Sequence, residues 1–78
     1  AARSLAKRVL ARGGSTSERV DAIHELAFAR TARAVEHYEA VGFLEGCRAR
    51  LSGEERELES WAAYARTILA SNEFAYLD

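Results

Sequence analysis

Seventy-eight residues, 49% apolar and 29% charged, have the composition of one ordinary globular domain, whose core supplies about 3–5 kcal/mol unless something staples it. The net charge of −1 excludes the electrostatic footprint of a nucleic-acid or anionic-lipid binder. No apolar run approaches the roughly 20 residues of a membrane span, and the single Cys47 excludes an internal disulfide.

Proline is absent, and Ala, Leu, Glu and Arg dominate, so the composition is helix-forming throughout. A first helix is expected over about residues 3–12, with Leu5, Val9 and Leu10 on one face and Ala2 and Ala6 beside them. Gly13-Gly14 ends it, because glycine takes a left-handed C-cap without steric cost. Ser15 and Glu18 have the spacing of a capping box for the second helix, with Ser17 as a rival cap. Val20, Ile23, Leu26 and Ala27 then follow as its buried stripe, and Phe28 lies off that stripe.

Nothing between Glu18 and Leu51 stops a helix outright. A lone helix of that length leaves its apolar face uncovered, so a break is expected near Arg30-Thr31-Ala32, with Thr31 capping a new helix. That helix carries Val35, Tyr38, Val41, Gly42 and Leu44 inward and ends near Leu51, with Phe43 widening the stripe. Ser52 and Glu55 repeat the capping-box spacing. The helix after them has the clearest pattern: Leu58, Trp61, Ala62, Ala65, Ile68 and Leu69 inward, Tyr64 flanking, and Glu55, Glu59, Ala63 and Arg66 outward. Asn72 is expected to be its C-cap, since Asn tolerates the left-handed conformation.

The last eight residues alternate apolar and acidic side chains, and Phe74, Tyr76 and Leu77 are unusual for a solvated tail. The tail is therefore expected to dock. An opening at Ala1-Ala2-Arg3 inside a helical pattern is what a fragment of a longer protein shows.

Leu26-Ala27-Phe28-Ala29-Arg30, then Glu36, then Phe43-Leu44, and finally Trp61 leading to Ser71-Asn72-Glu73-Phe74-Ala75-Tyr76-Leu77-Asp78 stand in a recurring order and spacing. In these features the chain resembles the C-terminal region of a planctomycete protein family of unknown function that carries cytochrome-c-like domains elsewhere. The resemblance runs from about Arg3 to Asp78, and its most specific part is the closing Asn-Glu-Phe-x-Tyr-x-Asp pattern. The family places two prolines after the Arg at the break, where this chain has Thr31-Ala32. The resemblance implies an exported or cell-surface parent, because cytochrome-c-like domains mature outside the cytoplasm. It supplies no reaction.

Covalent haem attachment needs Cys-x-x-Cys-His, and Gly46-Cys47-Arg48-Ala49-Arg50 has neither the second Cys nor the His. His24-Glu25 opens like a zinc-protease motif, but Phe28 stands where the second His belongs. A site built from His24, His37 and Cys47 is weighed against two surface or half-buried histidines and an inert cysteine, and the second reading is preferred. His37 precedes Cys47 by ten positions, about 15 Å along one helix, too far for a proton transfer. Glu54, Glu55, Glu57 and Glu59 read as dipole complementation and a solvated face in preference to a cation site, and Arg3, Lys7, Arg8 and Arg12 as a second solvated face. Arg30 is expected to pair with Glu73, with Phe74 in a slot between the second and last helices.

The fold expected is all-α: a small bundle of about four helices in one domain, with a docked C-terminal tail. Its central seam sets Leu58, Trp61, Ala65, Ile68 and Leu69 against Val20, Ile23, Leu26, Val41 and Leu44. Arg30, Glu36, Trp61, Asn72, Glu73, Phe74 and Tyr76 are the residues expected to carry structure or interaction, and no catalytic, cofactor or metal residue is expected. The function expected is a non-catalytic structural or interaction module at the C-terminus of a larger exported protein, packing on the parent's other domains or self-associating. The alternative is an auxiliary segment of a redox or hydrolytic enzyme whose active site lies in other domains.

Overall fold

The computed structural model describes the backbone of residues 1–76 and the side chains of residues 1–72. It contains four helices: α1 (Ala2–Arg12), α2 (Thr16–Phe28), α3 (Ala34–Arg50) and α4 (Arg56–Tyr76). The chain is thus the small all-α bundle that its composition and periodicity predict. No helix of the described residues is long and apolar enough to cross a membrane.

The first two boundaries fall where local chemistry puts them. Gly13 closes α1 at φ 74°, its N–H donating to the Leu10 carbonyl at 3.1 Å. Ser15 Oγ accepts the Glu18 N–H at 3.1 Å, and the Glu18 carboxylate accepts the Ser15 N–H at 2.8 Å, which completes the capping box of α2. Three expectations at later boundaries need correction. The break after α2 is present, but Thr31 does not cap α3. The N-cap is Arg33, whose N–H donates to Glu36 Oε1 at 2.8 Å. Helix α4 begins at Arg56, after a turn closed by the Arg56 N–H on the Gly53 carbonyl, so Ser52 stands too early to be its cap. It also runs through Asn72 to Tyr76, because nothing between Arg56 and Tyr76 is a glycine or a proline. The C-terminal segment from Ser71 to Tyr76 is therefore the last turns of α4, not a separate tail. The side chains of Glu73, Phe74 and Tyr76, and the docking expected of them, lie outside the described residues.

The core gathers Leu5, Ala6 and Val9 from α1, Val20 and Ile23 from α2, Ala40 and Leu44 from α3, and Trp61, Ala62, Tyr64 and Ala65 from α4. Leu58, Ile68 and Leu69 pack against it half-buried. α1 and α4 approach each other over the longest stretch, so α4 is the post on which the other three helices lean.

Two members of the expected seam are not in it: Leu26 is 53% exposed and Val41 is 44% exposed. In α2 the inward place is taken by His24, four residues after Val20, which turns Leu26 outward. In α3 the buried stripe is Ala40, Leu44 and Cys47, with Phe43 half-buried, while Val35 and Tyr38 face out at 59% and 82% exposure and Gly42 is exposed too. The rotation has a polar cause. Asp21 accepts the Ala32 N–H and bonds His37 Nε2, both at 2.9 Å, and Arg30 grips Glu36. These ties turn Glu36 and His37 toward α2, and positions 40, 44 and 47 follow inward at helical spacing.

Ion pairs join the helices at the far end. Glu55 and Glu59 both hold Arg3 of α1, the former at 2.8 Å. Glu57 accepts two bonds from Arg48 at 2.8 and 2.7 Å and a third from Trp61 Nε1 at 3.3 Å. The acidic start of α4 is therefore a clasp on α1 and α3, and Arg3 is part of it; neither is merely a solvated face. Exposed pairs of this kind are worth about 1 kcal/mol or less each.

Candidate functional site

The polar centre of the molecule lies where α2, α3 and α4 converge. The α2–α3 linker brings Arg30 back over the bundle, and its guanidinium meets the Glu36 carboxylate with two parallel bonds of 2.8 and 3.0 Å. The same guanidinium lies over the Phe28 ring, 5.4 Å from its centroid. Arg30 holds Glu36 at the helix junction, and the pair expected with Glu73 lies outside the described residues. Two donors on one carboxylate, plus the Arg33 N–H, hold the Glu36 acid well below the ordinary carboxylate range, at about 2.

Glu36 Oε1 lies 3.9 Å from Nδ1 of His24, too far for a hydrogen bond. The other imidazole nitrogen, Nε2, is 2.9 Å from the Tyr64 hydroxyl. His24 is 1% exposed, and burial lowers its pKa, so the ring is neutral. The neighbouring carboxylate favours the tautomer with the proton on Nδ1, which leaves Nε2 to accept from the Tyr64 O–H. Burial, together with Glu36 and Glu39, pushes the Tyr64 hydroxyl up to about 12. Around this line the rings of Phe28 and His24 stand 5.6 Å apart, Phe43 and Tyr64 5.8 Å, and Trp61 meets Tyr64 edge-on at 6.1 Å.

The groups stand in the order carboxylate, imidazole, hydroxyl, and burial makes Tyr64 hold its proton more tightly than free tyrosine does. Glu36 is already engaged by Arg30. The line Arg30–Glu36···His24–Tyr64 is a proton-retaining brace across three helices.

Beside the brace is a cavity of about 330 Å³, whose walls include Phe28, Phe43 and Ile68 and whose polar edge carries Glu36, Glu39 and Ser71. A second surface lies on the outside of α3. Val35, Tyr38 and Val41 recur there at helical spacing, all exposed.

The other sequence candidates fall elsewhere. His37 bonds Asp21, and Cys47 is buried with Arg50 Nη2 at 3.7 Å, so His24, His37 and Cys47 do not converge. Among the described residues no group of three or more His, Cys, Asp or Glu side chains is placed to hold a metal. His24 is fully buried, not a surface or half-buried histidine. Its place at Val20 plus four, on the inward side of α2, was the available sign. The Tyr64 partner, 40 residues away, left none. No family model matches the chain, and neither a curated protein nor a solved structure does.

Proposed function

We propose that this chain is a non-catalytic helical interaction module belonging to a larger exported protein. The outer face of α3 is the surface through which it packs on that protein's other domains. One observation carries the reading: a row of apolar side chains on α3, Val35, Tyr38 and Val41, points away from this bundle. Soluble surfaces carry scattered apolar residues, but a row at helical spacing is what a partner surface presents. The closing Asn-Glu-Phe-x-Tyr-x-Asp pattern supports the exported parent.

Oxidative footprinting of Tyr38 tests this. The isolated chain should modify rapidly there, as its 82% exposure requires. The same tyrosine in the longer protein should be protected, and Val35→Lys should restore its reactivity without lowering the thermal midpoint, since exposed substitutions cost about 0.5 kcal/mol or less. Equal reactivity in both settings contradicts the proposal, and protection that appears in the isolated chain with rising concentration makes a second copy the occupant.

A further inference from the structure

We propose that the cavity between α2, α3 and α4 binds a small organic cation, a primary amine carried on an aromatic or aliphatic body. This site is separate from the outer face of α3 and stands whatever covers that face. Its volume of about 330 Å³ is at the lower end of small-molecule pockets. The walls choose the body of the ligand: Phe28, Phe43, Tyr64 and Ile68 offer ring faces and an aliphatic side.

Charge chooses the head. Arg30 neutralises Glu36, and His24 is uncharged, which leaves the exposed Glu39 carboxylate as the net charge of the cavity edge. An anion would be repelled by Glu39, and a neutral molecule would gain nothing from it. A monocation matches both the carboxylate and the rings. The chain already uses the same chemistry on itself, since Arg30 sits over Phe28 with Glu36 at its edge. Phe43 and Tyr64, tilted 57° to each other, line the cavity with Glu39 at its edge.

Three probes of one shape distinguish the outcomes: 2-phenylethylamine, 2-phenylethanol and phenylacetate, each titrated against the full chain. Backbone amide shifts and the fluorescence of Trp61, edge-on to Tyr64, report binding. The amine should bind saturably, about tenfold more tightly than the alcohol, with phenylacetate weakest. Its shifts should map to Phe28, Glu39, Phe43 and Tyr64. Glu39→Gln should weaken the amine about fivefold, leave the alcohol unchanged and keep the thermal midpoint. Phe43→Leu should weaken the amine more than the alcohol, because the cation loses a ring face as well as apolar contact. Equal binding of amine and alcohol, an amine preference undiminished in Glu39→Gln, shifts located away from the cavity, or no saturable response to any probe overturns the proposal.

Discussion

Trp61→Ala should abolish cooperative folding at room temperature. Trp61 is 0% exposed and is the largest fully buried side chain among the described residues. It touches the brace through Tyr64 and the α3 clasp through Glu57. Truncating a buried Trp costs about 3–5 kcal/mol in lost transfer energy and residual cavity. That equals the whole stability that a core of this size supplies, about 3–5 kcal/mol. Helices as short as these do not persist alone, because their stability comes from tertiary packing. Far-ultraviolet circular dichroism and amide dispersion should therefore collapse together in this variant. Trp61→Phe keeps most of the volume and should remain folded with a lowered midpoint. A Trp61→Ala chain that still melts cooperatively, within about 1 kcal/mol of the parent sequence, would mean that the core is not organised around α4.

Glu36→Gln is expected to loosen the α2–α3 junction. It removes the charge that Arg30 grips with two bonds and weakens the acceptor that holds the Arg33 N–H at the start of α3. The pair is partly hydrated, so its loss is screened by solvent and is smaller than that of a buried pair, but Arg30 would be left without its counter-ion. The midpoint should fall by about 4–8 °C for a domain of this length. The pH dependence gives a sharper signature. The Glu36 acid is held at about 2 in the fold, below its ordinary 4.5, so its stabilising contribution is fully present above pH 4.5. As the pH falls from 4.5 toward 2 that contribution is lost, and Glu36→Gln should flatten this limb of the stability curve. Arg30→Lys, which keeps the charge but not the fork, should recover only part of the midpoint lost in Arg30→Ala. A midpoint unchanged in both Glu36→Gln and Arg30→Ala would contradict the brace.

The elements that were legible in the sequence are those fixed by neighbours within one turn. Gly13 and the Ser15–Glu18 box set the α1–α2 boundary with no help from the rest of the chain. The inward row of α4 was legible because its small and aromatic residues share one period. What the pattern of apolar residues misplaced is the rotation of α3, since the apolar row Val35, Tyr38 and Val41 faces outward. Two polar ties, Asp21 to His37 and Arg30 to Glu36, set that rotation, and hydrophobic periodicity is blind to them. Arg30 and Glu36 were singled out as positions, yet their partnership was hidden behind an expected pair with Glu73. His24 and Tyr64 escaped because their bond spans 40 residues and each alone looks like an amphipathic side chain at the edge of a stripe. The end of α4 was misjudged because Asn72 tolerates a cap conformation without requiring one.

The protonation of His24 tests the brace most directly. A neutral imidazole buried between Glu36 and Tyr64 must have a pKa below its ordinary 6.5, since loss of hydration outweighs the pull of Glu36 and is reinforced by Arg30 and His37. The unfolded chain binds this proton more readily than the folded one, so stability should fall as the pH drops below 6.5 through the folded value, ahead of the Glu36 limb. Titration of the His24 ring nitrogens by NMR should show a single neutral tautomer, protonated on Nδ1, through pH 6.5, and Tyr64→Phe should disturb that tautomer. A His24 that titrates at 6.5 or above would show a hydrated or ion-paired imidazole, and the brace of three helices could not then be as described.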